Sequence, residues 1–284
     1  MRIFLLFACV LVAGCMTTTE TLIDQADNTG VDHQFEKQIL RGGLFQFYTQ
    51  SKIDSHSRRN RQAVIYIEGD GRAWLSRTRP SLNPTPRHPL SLLLATSDNI
   101  HEMIFYLARP CQFMMSGDDP HCQKKYWTSH RYAEEVVAAY DDLLRQLKQQ
   151  YQLQQFHLVG FSGGAAIAAL VAARRDDVVS LRTVAGNLDT VLFTQLHQVS
   201  PTTESLNPVD VAERLSTIPQ IHFVGLNDKV SPRDLADSYL AAMPVSSCAV
   251  ISLQDAKHAA GWLALWPQLL VQPMPCELVV EPAQ

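Results

Sequence analysis

The run Phe156-His157-Leu158-Val159-Gly160-Phe161-Ser162-Gly163-Gly164-Ala165-Ala166-Ile167-Ala168-Ala169 joins an apolar strand to a small-residue helix through Gly-x-Ser-x-Gly. A strand-to-helix turn this tight forces its central residue into a strained backbone conformation. That is tolerable only where the residues two before and two after lack an obstructing side chain, and Gly160 and Gly164 supply that room. The Ser162 hydroxyl is thereby lifted clear of the sheet. Ser162 is the expected nucleophile.

Around this turn, β-rich apolar runs alternate with helical patterns. Residues 35–40 and 44–49, split by Arg41-Gly42-Gly43, read as a hairpin. The run at 63–67 reads as a buried strand, and those at 103–107, 181–185, 221–224 and 249–253 as further strands. Between them, 89–95 and 232–243 suit helices. A helix capped by Ser129 would carry Tyr132, Val136, Tyr140, Leu144, Leu147 and Tyr151 on one stripe. Such alternation predicts an α/β fold: one mostly parallel sheet with helices on both faces. The segments 72–99, with Pro80, Pro84, Pro86 and Pro89, and 109–128 read as loops that shape a pocket. The stretch 187–219 is too short for a large lid.

The order of elements over roughly residues 35–272 resembles the α/β-hydrolase fold. In that family the nucleophile, an acid and a histidine follow successive strands in chain order. The resemblance puts Asp228, in Gly225-Leu226-Asn227-Asp228, and His258, in Gln254-Asp255-Ala256-Lys257-His258, in the acid and base positions. A serine hydroxyl is a poor nucleophile at neutral pH and needs a base within hydrogen-bond reach. An imidazole can take its proton and return it to the leaving group, while a carboxylate fixes the imidazole tautomer. Asp189, in Gly186-Asn187-Leu188-Asp189, also follows a strand and competes with Asp228 for the acid's role. For the oxyanion, the resemblance implies the backbone N–H groups of Gly163 and Asp70. In Glu68-Gly69-Asp70-Gly71, however, Glu68-Gly69 stands where the family has His-Gly. Two carboxylates there would raise the negative potential unless Arg72 or Arg109 offsets them.

At the other end of the chain, Arg2, the apolar run 3–12 and Val12-Ala13-Gly14-Cys15 resemble the signal and lipobox of bacterial lipoproteins. The resemblance implies a signal peptide at 1–14 and diacylglycerol on Cys15. It also implies a polar tether at 15–34, with the hydrolase domain at 35–284. Met16 rather than Asp after the cysteine favours the outer membrane of the cell envelope, facing the periplasm. Export would place Cys111, Cys122, Cys248 and Cys276 in an oxidising compartment. Four cysteines allow three pairings, with Cys111–Cys122 and Cys248–Cys276 the expected ones.

Composition narrows the function further. The chain has 284 residues, 46% of them hydrophobic and 18% charged, which permits a substantial core. A net charge of −4 leaves no electrostatic footprint for nucleic acid. No cysteine pair has zinc spacing, Asp118, Asp119 and His121 read as loop residues, and neither metal nor cofactor is expected. The expected activity is hydrolysis of a carboxylic ester or thioester in a small-molecule acyl substrate. Peptidases and acyltransferases share this machinery, and a non-catalytic envelope binding protein is the alternative of a different class.

Overall fold

The computed structural model describes residues 18–54 and 61–276. The lipoprotein signal and Cys15 lie outside the described residues. Eight strands form one sheet in the order β1 (Glu36–Gly42), β2 (Phe45–Ile53), β6 (Met103–Leu107), β3 (Gln62–Ile67), β7 (Gln155–Phe161), β8 (Val178–Val184), β9 (Gln220–Gly225) and β10 (Ala249–Gln254). The hairpin β1–β2 turns at Gly43, whose φ of +52° suits glycine. It pairs antiparallel with β6, and the six strands from β6 to β10 run parallel. A separate ribbon, β4 (Trp74–Ser76) with β5 (Arg79–Pro80), sits in the proline-rich loop.

The period-two alternation of the strands feeds two cores. In β3, Ala63, Ile65 and Ile67 face one side and Val64 and Tyr66 the other. The first face is covered by α3 (Glu134–Tyr151), α4 (Gly163–Ala172) and α6 (Arg233–Ala241). On α3 a stripe of Val136, Val137, Tyr140, Leu143, Leu144 and Leu147 is fully buried, each large side chain stabilising by about 1.5–3 kcal/mol. The opposite face is covered by α1 (Thr19–Asp32), α2 (Leu90–Thr96) and α7 (Trp262–Leu270), with Trp262 and Trp266 fully buried. Because α4 is built from Ala165, Ala166, Ala168 and Ala169, it lies close against the sheet.

Two boundaries depart from the sequence reading. Residues 19–32, expected within a polar tether, form helix α1, capped by Thr18. Leu22, Ala26 and Gly30 recur every fourth residue and are buried, and the Gln50 amide donates to the Ala26 carbonyl at 2.8 Å. That narrow stripe, with Ile23 packed at its edge, is enough to dock an otherwise polar helix. The other departure is α3, which begins at Glu134 rather than after Ser129. Residues 124–127 form a 3-10 turn, and Ser129 spends its hydroxyl on the neighbouring His130 ring. Cys111 is bonded to Cys122, and Cys248 to Cys276. The second bridge ties the residue before β10 to the segment after α7.

Candidate active site

Ser162 follows β7 and caps α4 with φ +52° and ψ −117°, a conformation that costs an L-residue about 1–3 kcal/mol. Its surroundings hold it there. The Ser162 N–H donates to the Val184 carbonyl at 3.0 Å, and its carbonyl accepts from Ala165 at 3.1 Å and Asn187 at 3.0 Å. A β-carbon on Gly160 would fall 2.5 Å from Ala165 Cα, and one on Gly164 would fall 2.3 Å from the Ile67 carbonyl oxygen. The turn therefore packs directly on β3.

Asp228 and His258 follow β9 and β10, adjacent parallel strands, at the carboxyl edge where such sheets place their sites. The Asp228 carboxylate has a fully buried side chain. Its Oδ1 accepts from the Val230 and Ser231 backbone N–H groups at 2.8 and 2.9 Å, and its Oδ2 lies 3.0 Å from His258 Nδ1. On the far side of the ring, His258 Nε2 is 3.0 Å from Ser162 Oγ. A carboxylate can only accept, so Nδ1 carries the proton and Nε2 of the neutral ring presents a lone pair to the serine hydroxyl. The His258 carbonyl accepts from the Trp262 indole at 2.9 Å, and the imidazole rests on the Phe161 ring, with centroids 5.2 Å apart.

Asp189 is engaged elsewhere. It caps α5 (Thr190–Leu196), accepting from Val191 and Leu192, while its Oδ2 accepts from the Ser238 hydroxyl at 2.6 Å. Asp255 accepts from the Asn227 side-chain amide, and among the described residues it forms no hydrogen bond or ion pair with His258.

The loop after β3 brings Asp70 against the serine turn. A β-carbon on Gly163 would lie 2.0 Å from Asp70 Oδ1. The Asp70 carboxylate is gripped by Arg109 at 2.7 Å, Arg131 at 2.8 Å and the Tyr132 hydroxyl at 3.0 Å. Burial alone would raise its pKa, but Arg131 and Arg109 outweigh burial and hold it below the ordinary carboxylate value. Of the two arginines expected to offset this acid, Arg109 does so and Arg72 does not. Arg131 and Tyr132 were not foreseen as partners of Asp70: the sequence reading puts Tyr132 on the buried stripe of a helix opening at Ser129, whereas both residues lie in the turn before α3. The only available signal was the rule that a buried acid must be paired.

Glu68 has a different task. Pro89 leaves α2 without a local side-chain cap, and the Glu68 carboxyl instead accepts from Ser91 N–H at 3.2 Å, together with Gly69 N–H and the Tyr106 hydroxyl. Burial pushes its pKa from 4.5 up to about 7. The Glu68 carboxyl is thus spent on α2 and β6, and the Asp70 charge is neutralised by its arginines.

Ser162 and His258 open onto a cleft of about 760 Å³, walled in part by Trp74, Arg131, Phe161 and Phe193. A second cavity of about 450 Å³ adjoins it and shares Trp74, Arg131 and Phe193.

Residues 102–256, more than half of the chain, match the family model described as Serine hydrolase (FSH1). No curated protein sequence matches the chain. Among solved structures, an α/β serine hydrolase homologue from Coxiella burnetii is similar with a TM-score of 0.58 at 17% identity, covering 83% of this chain and 95% of that one. The esterase Pf2001 of Pyrococcus furiosus is similar with a TM-score of 0.55 at 11% identity, covering 84% and 90%. An acylaminoacyl peptidase of Pyrococcus horikoshii has a TM-score of 0.57 at 11% identity, over 82% of this chain but 39% of its own. At these identities the likeness is one of fold.

Proposed function

This chain belongs to the Serine hydrolase (FSH1) family, and on that premise we propose that it hydrolyses a carboxylic ester or thioester through an acyl-enzyme on Ser162. One observation carries the reading: Ser162 Oγ, His258 and the Asp228 carboxylate stand in line at two 3.0 Å contacts, at a turn with no other evident reason for its strain. Ser162 Oγ attacks the acyl carbon as its proton passes to His258 Nε2. Asp228 stabilises the imidazolium that forms. The oxyanion of the tetrahedral intermediate accepts from the Gly163 and Asp70 backbone N–H groups, each worth about a hundredfold or more in rate. Collapse of the intermediate breaks the bond to the leaving alcohol or thiol, which takes the proton from His258. Water, deprotonated by the same imidazole, then releases the acid and restores the hydroxyl.

A fluorophosphonate probe tests this directly. The wild-type protein should label, and Ser162→Ala and His258→Ala should not. Hydrolysis of p-nitrophenyl butyrate should fall by about 10⁴-fold or more in both. Undiminished labelling of Ser162→Ala would show a different nucleophile, and an unlabelled wild type would sink the proposal.

The anchor is a separate part of the proposal. The mature chain begins at Cys15, carrying diacylglycerol, on the support of Arg2, the apolar run 3–12 and Val12-Ala13-Gly14-Cys15. Radiolabelled palmitate should enter the wild-type protein in a bacterial host and be lost in Cys15→Ser. Equal incorporation would overturn the anchor alone.

A further inference from the structure

The cleft at Ser162 is rimmed by exposed arginines. Arg72, Arg79 and Arg87 line it and are exposed, and none has a side-chain hydrogen bond or ion pair among the described residues. His88 stands beside them. The acids lining the same cleft are Glu68 and Asp70, whose carboxyls are already committed to α2 and to Arg109 with Arg131. The cleft is therefore strongly positive in a chain whose net charge is −4. Concave, low-dielectric walls concentrate such a field on whatever enters.

These arginines ride on a braced segment. Arg72 N–H donates to the Pro84 carbonyl at 2.9 Å, and Ser81 N–H to the Ala73 carbonyl at 2.9 Å. The Asn83 amide donates to the Met114 carbonyl, the Trp127 indole donates to the Ser81 carbonyl, and Phe113 N–H donates to the Thr85 hydroxyl. The Cys111–Cys122 bridge closes the loop that contains Phe113 and Met114. The backbone beneath the guanidinium groups is thus fixed before a ligand arrives, which lowers the ordering cost of binding.

The adjoining cavity is the more apolar of the two, although Arg131 and His197 also line it. Trp74, Phe193, Val199 and Pro201 wall it, and Arg77, which also lines it, is tied to the carbonyl of Gln198 at 2.9 Å. Trp74 is 41% exposed at the boundary between the two spaces. An apolar chain entering there would cover it.

We propose that the substrate is an anionic amphiphile: an acyl ester or thioester whose acyl chain enters the cavity behind Trp74 and Phe193, and whose leaving group carries a phosphate or carboxylate held by Arg72, Arg79 and Arg87. A guanidinium fork matches either oxyanion. The proposal rests on the serine-hydrolase reading for its chemistry but not for its binding.

Two measurements separate the two. The first compares kcat/KM for 3-octanoyloxy-4-nitrobenzoate and its uncharged methyl ester, in the wild type and in Arg72→Gln/Arg79→Gln/Arg87→Gln. At about threefold per exposed charge contact, the ratio of anionic to neutral turnover should fall about thirtyfold in the triple variant. In the wild type the preference should shrink in 0.5 M salt. The second is calorimetric titration of octyl phosphate into Ser162→Ala protein, where affinity should drop by a similar factor when the three arginines are also replaced. Ethyl phosphate should bind much more weakly than octyl phosphate. An unchanged turnover ratio with both esters cleaved would sink the anion site and leave the hydrolase standing. Arginine-dependent binding of octyl phosphate without turnover of either ester would do the reverse. Equal binding of ethyl and octyl phosphate would overturn the acyl cavity.

Discussion

Asp228 Oδ2 and His258 Nδ1 lie 3.0 Å apart because β9 and β10, which carry them, are neighbours in register, with Gly225 paired to Gln254. Gly225 makes the approach possible, since a β-carbon there would fall 2.6 Å from the Ala256 carbonyl oxygen. Asp189 follows β8, one strand further in, and its carboxylate is turned to α5 and Ser238.

The two aspartates should therefore answer substitution differently. Asp228→Asn removes the acceptor that sets the His258 tautomer, and kcat should fall by about 10³–10⁴-fold with KM little moved. Asp189→Asn should leave kcat within a few-fold and cost little in urea unfolding, because asparagine caps a helix about as well as aspartate. A kcat collapse in Asp189→Asn with little change in Asp228→Asn would reverse the assignment.

Gly164→Ala should damage the fold as well as the chemistry. The added methyl would lie 2.3 Å from the Ile67 carbonyl oxygen and 2.5 Å from that of Glu68, both backbone atoms of the central strand and its exit. Neither can move without dragging the loop that carries Asp70. A loss of about 3 kcal/mol or more in urea unfolding is expected. A variant as stable as the wild type would mean that α4 does not lie as close to β3 as described.

Sequence revealed the serine turn because three local facts coincided there: an apolar strand, a pair of glycines two residues either side of a serine, and a helix of alanines. The strand ends bearing Asp228 and His258 were legible for a similar reason, each being an apolar run that stops at a carboxylate or imidazole. Choosing between Asp228 and Asp189 was beyond local pattern, because both follow strands and only strand order and side-chain partners tell them apart. The partners of Asp70 were hidden for a stronger reason. Arg131 and Tyr132 lie 61 and 62 residues away, and the helical spacing of Tyr132 with Val136 and Tyr140 pointed to a core role rather than to Asp70. Helix α1 was masked by polar composition, although the spacing of Leu22, Ala26 and Gly30 was present in the letters.

Burial of Glu68 makes the stability of the fold depend on pH. Burial raises its folded pKa to about 7 from 4.5, so between those values the folded chain holds a proton that the unfolded chain has released. Stability from this group is full below pH 4.5 and is lost as pH rises through about 7, by on the order of 3 kcal/mol. Glu68→Gln cannot titrate. Urea unfolding of both proteins from pH 5 to pH 8 should show the wild type losing ground to Glu68→Gln as pH rises. Parallel curves would mean that the carboxyl is not buried as described.

The cluster of Asp70 with Arg109 and Arg131 makes the sharpest energetic prediction. Both guanidinium groups are largely removed from water, with side-chain exposures of 5% and 11%, and both face the one carboxylate. Asp70→Asn keeps the shape but leaves two buried cations unopposed, and it should cost about 3–5 kcal/mol in unfolding. Arg131→Met alone should also destabilise, but less, because Arg109 and Tyr132 still satisfy Asp70. If the cost arises from uncompensated charge, the double variant Asp70→Asn/Arg131→Met should be less damaged than the sum of the singles, with a coupling of about 1–3 kcal/mol. Simple loss of packing would instead add. The cluster also sits beside Gly163, so its loss should reach the chemistry through the position of the Asp70 N–H. In the surviving fraction of Asp70→Asn, kcat should fall while KM for a neutral ester stays near its wild-type value, since the loop would no longer aim its donor at the developing oxyanion. An additive cycle with unchanged kcat would make the cluster a scaffold alone.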